Sequence, residues 1–276
     1  MGRRPSRRVR LDRLLVERGV FQDAKTAQSW IMAGSVIVDE VREDKPGTAV
    51  DTKACIRVRG IDLPYASRGG LKLAAALDVF AVDVCGRTAI DAGASTGGFT
   101  DCLLKRGAAL VYSVDVGFGQ LAGRLRQDPR VRNMERTNIS DVIPGTLDPQ
   151  PSLGVIDLSY LSLTTAVPHV AKIVGIDHGA DIIALVKPLF EVACAVCDLS
   201  EHQYRAAVSR ALSAGVCAGF APQRVMASPV LGSGGTLEFL VRYAPAPTPD
   251  GMCGEADEAV AAGMDLLRGS VPRSEG

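Results

Sequence analysis

AIDAGASTGGFTD, residues 89–101, runs from an apolar strand that closes on Asp91, through Gly93, Gly97 and Gly98, into a helix. Such a loop brings backbone N–H groups close to a ligand at a helix N-terminus. A dinucleotide fingerprint needs G-x-G-x-x-G, whereas Ala94, Ser95 and Thr96 separate Gly93 from Gly97 here. An acid directly ahead of the first glycine suits a cationic amino-acid group better than a pyrophosphate. Asp115 ends the next strand, where a carboxylate accepts both hydroxyls of a ribose. Together these residues favour S-adenosylmethionine over NAD, held by Asp91, the loop from Gly93 through Ala94, Ser95, Thr96 and Gly97 to Gly98, and Asp115. The competing reading is a tight strand–helix turn with no ligand. The later G-x-G at Gly117 and Gly119 follows Asp115 and not a strand-to-phosphate turn, so it is not a second such loop.

Outward from this loop, helix and strand alternate. The pattern predicts helix 71–80, strand 88–91, helix 99–106, strand 110–115, helix 120–127, strand 153–157, helix 163–174, strand 181–187, helix 201–218 and strands near 224–227 and 236–243. Alternation of this kind implies an α/β fold with a doubly wound, parallel sheet. Before it, residues 11–20 and 23–33 read as short helices, residues 36–38 and 55–58 as strands, and Asp39-Glu40 as a turn, which makes a small α+β unit. The organisation expected is a basic head at 1–60, a linker at 61–70 with Pro64 and Gly69-Gly70, an α/β domain at 71–243, and a disordered tail at 244–276, opened by APAPTPDG and carrying a short helix around 255–267.

With 276 residues, 47% hydrophobic and 22% charged, a sizeable core is affordable and wholesale disorder is excluded. The 31 basic and 31 acidic residues cancel, but not locally: residues 1–72 hold 15 Lys and Arg against 9 Asp and Glu, leaving 16 against 22 in the rest. A basic head on an acidic body suggests a module that meets phosphate, with Arg8, Arg10, Arg13 and Lys25 near its helix starts. The alternative is a solvated charged face. Aromatics at 5% argue against a base-stacking sheet. No apolar run reaches the ~18 residues of a membrane helix, and MGRRPSRRVR leads into no hydrophobic region, so neither a membrane anchor nor a signal peptide is expected and the protein is expected in the cytoplasm. Seven scattered cysteines fit a reducing compartment. The lone Cys194-x-x-Cys197 pair reads as thiols and not a zinc site, so no metal is expected.

Asp91, Asp115, Asp157 and Lys187 all fall at carboxyl ends of expected parallel strands, the rim where open α/β sheets bind ligands. Lys187 closes an apolar run before Pro188, an expensive place for a cation without a task or a partner. An ion pair with Asp157 would be a purely structural explanation.

SRGGLKL (67–73), DAGASTGGFTD (91–101), VDVGFGQL (114–121), ERTN (135–138), DLSYLSL (157–163), LVKPLFE (185–191) and GTLEFL (235–240) together resemble the haemolysin-A/TlyA family of ribosomal-RNA 2′-O-methyltransferases. That resemblance implies a Rossmann-like, FtsJ-type methyltransferase domain behind a small RNA-binding head. It implies transfer of a methyl group from S-adenosylmethionine to a ribose 2′-OH, of cytidine, in ribosomal RNA or ribosomal subunits, with no obligate protein partner. By motif it implies a catalytic set of Lys72, Asp157, Lys187 and Glu238, adds Asn138 to the cofactor site, and adds Arg68 to the RNA contacts. A neutral Lys187, favoured by Lys72 and partial burial and oriented by Asp157 and Glu238, would act as base. The chain departs from the family's pattern at Asp39-Glu40, Leu189 and Thr236, and in the stretch after Glu191, positions that bear on the target. A small-molecule methyltransferase of the same fold and a haemolysin-like cytotoxin are the alternative functions.

Overall fold

Short apolar segments make the head. The structure, a computed structural model, describes residues 8–18, 20–21, 23–52, 54, 56–59, 64–176, 179–192, 199–232 and 235–270. Within it, β1 (Arg8–Arg10), α1 (Leu11–Glu17), α2 (Ala24–Met32), β2 (Val36–Val38), β3 (Val41–Glu43), β4 (Ala49–Asp51) and β5 (Ile56–Val58) pack around Leu11, Leu15, Ala27, Ile31 and Val36. The strands form a β1–β4 pair and a three-stranded sheet ordered β3-β2-β5. Asp23 caps α2 by accepting a hydrogen bond from the Thr26 N–H at 2.8 Å. β1, β3 and β4 escape a periodicity reading because each carries a single valine among charged or small residues, too little for an apolar pattern to show. The turn between β2 and β3 holds both Asp39 and Glu40 at positive φ, +47° and +68°. This is the conformation for which Asn-Gly is favoured, so the chain keeps the turn at some strain.

The body is built from α3 (Gly69–Val79), β6 (Thr88–Ala92), α4 (Gly98–Lys105), β7 (Leu110–Asp115), α5 (Gly123–Arg126), β8 (Val131–Glu135), β9 (Leu153–Ile156), α6 (Leu163–Val174), β10 (Asp181–Val186), α7 (Pro188–Glu191), α8 (Glu201–Leu212), β11 (Ala221–Ala227), β12 (Phe239–Ala244) and α9 (Met252–Ser270). One seven-stranded sheet runs β11-β12-β10-β9-β6-β7-β8. The five strands from β10 to β8 are parallel, while β12 is antiparallel to both its neighbours. Both faces are covered, which is why β10 is buried along its whole length. Leu73, Leu77, Leu103 and Leu125 from α3, α4 and α5 fill one face. Val167, Val170, Tyr204, Val208 and Val260 from α6, α8 and α9 fill the other. The expected α/β, doubly wound architecture is the observed one.

Three expectations fail for physical reasons. The helix expected at 120–127 shrinks to Gly123–Arg126, because the Ala122 N–H is committed to Thr96 O at 3.2 Å and holds the preceding residues against the glycine loop. The helix expected to run to Ala218 stops at Leu212; the Phe220 N–H bonds back to Gly215 O at 3.0 Å, and buried Phe220 pulls the chain round. Among the described residues, the expected tail is structured from 244 to 270. After its Pro-rich segment it forms the nineteen-residue α9, whose Met252, Ala259 and Val260 are buried against the sheet. Glu255 fastens this helix, accepting from Arg224 Nε at 2.7 Å and from the Val225 N–H at 3.1 Å. Strand β8, which the sequence reading omits, is a partly polar edge strand with exposed Arg132 and Asn133.

Because Val260 is fully buried, Val260→Asp should destabilise the protein by about 3 kcal/mol or more, the penalty for an unpaired charge in a core. Urea denaturation measures this. A midpoint equal to the wild type would show that α9 is not part of the core.

Candidate active site

Two features of the sheet place the site. From β6 the chain winds outward through β7 and β8, then returns to β9 on the opposite side of β6, so the strand order reverses between β6 and β9. A crevice opens at the carboxyl ends of strands at such a switch point. Asp91 and Gly93 lie at the end of β6, Asp157 follows β9 and Lys187 follows β10. The Asp157 N–H donates to Ala92 O at 2.9 Å, locking the two strand ends together.

The glycine loop is shaped by close approach. Gly93 sits at φ +95°, and a Cβ there would lie 2.3 Å from Asp157 O. Gly97, at φ +96°, opens α4, and a Cβ there would lie 2.3 Å from Leu125 Cδ1. Only glycine satisfies both demands. Beneath the loop Asp91 is fully buried: its Oδ2 accepts from Thr100 Oγ1 at 2.6 Å, and its Oδ1 has no partner among the described residues. Burial pushes its carboxyl up to about 7, against the Thr100 hydrogen bond and with Asp157 adding to the rise. Asp115 accepts from the Ser95 N–H at 2.8 Å through Oδ2 and from the Gly117 N–H at 2.6 Å through Oδ1. Each of its oxygens keeps a further lone pair for a ligand hydroxyl. An unanswered buried carboxylate, a cradle without side chains and a second carboxylate 24 residues on fit the ammonium, the chain and the ribose of S-adenosylmethionine.

Beside the loop, a cleft of about 200 Å³ is bordered by Lys72, Asp157, Lys187 and Glu238, with Arg68, Gly93, Ala94, Ser95, Thr96 and Gly98 also on its walls. Its charges pair. Lys187 Nζ lies 2.5 Å from Asp157 Oδ1 and donates to Ser159 Oγ at 2.8 Å. Lys72 pairs with Glu238 across 166 residues of sequence. Burial alone would raise the Asp157 carboxyl, but Lys187 and Lys72 hold it below its ordinary value. Burial raises that of Glu238 more than Lys72 lowers it. For Lys187, burial works downward and Asp157 overcomes it, so the amine is held above its ordinary value. The expectation that Lys72 and burial favour a neutral Lys187 meets an opposing influence here: Asp157 outweighs burial and favours the ammonium form.

Of the other expected residues, Asn138 and those of the head do not line the cleft, whereas Arg68 does. Asn138 spends its side-chain oxygen on the Ser140 N–H at 3.0 Å, capping a short 3-10 turn. In the head, Arg8, Arg13 and Lys25 are exposed. Arg10 instead forms a bidentate pair with Asp12, at 3.1 and 2.6 Å. That fork, opposed by burial and aided by Gln28, holds the Asp12 carboxyl at about 2. Arg68 is on the cleft wall, its Nη2 donating to Leu231 O at 2.7 Å. From the head, Glu17 and Arg18 reach the mouth of the same cleft. Cys194 and Cys197 lie outside the described residues. Sequence reasoning missed Ser159, Thr100 and Ser113. Ser159 follows Asp157 by two residues within DLSYLSL, a spacing that could have suggested it. Thr100 bridges Asp91 and Ser113, 2.8 Å away, only through the fold.

Comparison with known proteins agrees with this geometry. A family described as FtsJ-like methyltransferase matches residues 65–243. A provisionally named rRNA methyltransferase of Bacillus subtilis, YqxC, is 42% identical over 244 residues, covering 86% of this chain and 85% of its own. The 16S/23S rRNA (cytidine-2′-O)-methyltransferase TlyA of Mycobacterium tuberculosis is 48% identical over 188 residues, covering 68% and 69%. A provisionally named haemolysin of Streptococcus thermophilus, a solved structure, superposes with a TM-score of 0.83 at 36% identity, over 96% of this chain and 98% of that one. Among the described residues, no helix is long and apolar enough to cross a membrane.

If Asp91 meets the cofactor's ammonium, binding demands its carboxylate form. Affinity for S-adenosylmethionine should then fall as pH drops below about 7, by at most about tenfold per unit. Asp115→Ala should weaken it by about 1.5–3 kcal/mol at any pH through loss of charge-assisted hydrogen bonds. Calorimetry between pH 5.5 and pH 8.5, chosen as roughly 1.5 units either side of neutrality, reads both. A flat pH profile would show that Asp91 does not face the cation.

Proposed function

The chain belongs to the FtsJ-like methyltransferase family, and from that premise we propose that it transfers a methyl group from S-adenosylmethionine to a ribose 2′-OH of ribosomal RNA. The observation that carries this reading is the pairing of Lys187 with Asp157 and of Lys72 with Glu238 at the edge of the glycine loop. The names of the relatives from Bacillus subtilis and Mycobacterium tuberculosis support ribosomal RNA as acceptor, and the latter supports cytidine. The cofactor, when bound, supplies an electrophilic methyl group on a positively charged sulfur.

The chain's own groups do the rest. Asp91 and Asp115 hold the two ends of the cofactor. Lys187 Nζ, fixed by Asp157 and Ser159, reaches the acceptor hydroxyl and holds its oxygen in line. When the acceptor oxygen takes the methyl group that bound S-adenosylmethionine would supply, the hydroxyl proton must leave. Lys187 accepts it, provided it has first released its own proton to solvent. Lys72 and Glu238 keep the neighbouring charge balanced so that neither Asp157 nor Lys187 is stranded. Arg8, Arg13 and Lys25 supply exposed positive charge for phosphate, and residues 1–60 serve as the RNA-binding unit, working in the cytoplasm.

Lys187→Ala should lower methyl transfer by about 10²–10⁴-fold while cofactor affinity stays within a few-fold. Because Asp157 holds Lys187 above its ordinary value, the deprotonated base is scarce at neutral pH, so wild-type kcat should rise about tenfold per pH unit towards the alkaline range. Incorporation of labelled methyl into ribosomal subunits measures both. Wild-type turnover in Lys187→Ala would assign the lysine to structure. Reversing Arg8 and Arg13 to Glu should weaken RNA binding and flatten its salt dependence, with a slope change of about 0.7–0.9 per lost phosphate contact. Unchanged binding would remove the head from the RNA interface.

A further inference from the structure

Glu191 closes α7 and has no task in the chemistry above. It is only 3% exposed, yet it is absent from the walls of the cleft. A carboxylate at that depth needs partners, and it takes them from another loop. Its Oε2 accepts from Ser162 Oγ at 2.8 Å and its Oε1 from the Leu163 N–H at 2.9 Å. Ser162 Oγ in turn caps α6, accepting from the Thr164 N–H at 3.3 Å. Arg210 of α8 approaches Glu191 only to 3.9 Å. Tyr243 of β12 lies within electrostatic reach but spends its hydroxyl on Ala211 O at 2.7 Å.

These bonds matter for what they join. α7 begins directly after Lys187, and the Phe190 and Glu191 N–H groups both donate to Lys187 O, at 2.9 and 3.3 Å. The segment 157–162 starts at Asp157, whose N–H is fixed to Ala92 O, and carries Ser159. Its far end is what Glu191 grips. A circuit therefore closes, from the Lys187 backbone through α7 and the Glu191 side chain to Ser162. It returns along the segment to Ser159 and Asp157, which hold Lys187 Nζ. The pairing of β9 with β10 ends at Ile156 and Ala184, short of both loops, so the sheet alone does not set that distance. We infer that Glu191 is a positioning residue for methyl transfer, locking the turn after β9 to the turn after β10 so that Asp157 and Ser159 aim Lys187. This role rests on the RNA-methyltransferase reading above and adds to it a residue outside the four paired charges. Without the tie, the segment is anchored at one end only, and a displacement of about 1 Å at a reacting group costs on the order of 10²-fold in rate.

The test uses the full chain with purified bacterial 30S and 50S subunits and labelled S-adenosylmethionine. Glu191→Ala removes the tie, and Glu191→Asp keeps the charge but shortens its reach. Both should lower kcat by about 10- to 100-fold, with subunit KM and calorimetric cofactor affinity within a few-fold of wild type. Glu191→Gln keeps the reach without the charge and should recover most of kcat. The pH profile separates aiming from mere capping. Around Lys187 stand Asp157, Glu238 from the start of β12 and Lys72 from α3, with Arg68, Glu17 and Arg18 on the same cleft. Asp157 holds the Lys187 amine up against burial, so a loosened Asp157 lets it fall. The alkaline rise of kcat should then level off about one pH unit lower in Glu191→Ala than in wild type. Wild-type kcat in Glu191→Ala overturns the role, as does a lowered kcat with an unmoved pH profile, or a Gln variant as slow as Ala. If Glu191→Ala fails to fold, Ser162→Ala, which cuts one of the two bonds, carries the test. A lowered kcat at unchanged cofactor affinity then supports the role, and wild-type kcat overturns it. Absence of transfer to either subunit by the wild type defeats instead the reading on which the role rests.

Discussion

Two lysines and two carboxylates share one partly buried cleft, and the site depends on their neutralising one another. A lone ammonium or carboxylate in that position would carry a desolvation penalty of several kcal/mol. Paired, the four groups hold each other in place: Asp157 fixes Lys187, Lys72 fixes Glu238, and each pair stands within electrostatic reach of the other. The sheet makes this possible by ending β6, β9 and β10 side by side, so that groups contributed from Lys72 to Glu238 meet at one rim. The same pairing has a chemical consequence. A lysine held protonated by its carboxylate is an anchor for an incoming oxygen first, and a base only after it has lost a proton.

Much of this was legible in the chain. The carboxyl-end positions of Asp91, Asp115, Asp157 and Lys187 followed from apolar runs punctuated by one polar residue. β7 at Leu110–Asp115 and α6 at Leu163–Val174 fall where periodicity puts them. The Lys187–Asp157 pair, first seen as a structural alternative to function, is present; here the two readings coincide, because the pair that stabilises the site is also what aims the lysine. The pairing of Lys72 with Glu238 was not legible from the residues themselves. It closes over 166 positions, and only resemblance to a family suggested that the two belonged together.

The failures share a cause. Helix 120–127 was cut short by a tertiary hydrogen bond to the glycine loop, and helix 201–218 by the burial of Phe220. The tail looked disordered because its Pro-rich opening masked nineteen residues that become helical only by burying Val260 and its neighbours. For Lys187, the sequence names Asp157 as a partner but does not set its distance, and at 2.5 Å the carboxylate outweighs burial and favours the ammonium form. In each case the local pattern was real and a long-range contact decided the outcome.

The claim that this cleft methylates ribose is tested most directly by identifying the product. Ribosomal RNA treated with the full-length protein and labelled S-adenosylmethionine would be digested to nucleosides and resolved by mass spectrometry. The account predicts label confined to a 2′-O-methylated nucleoside, with the methyl group on the sugar fragment. Label on a base, or transfer only to a small molecule with none to RNA, would contradict it.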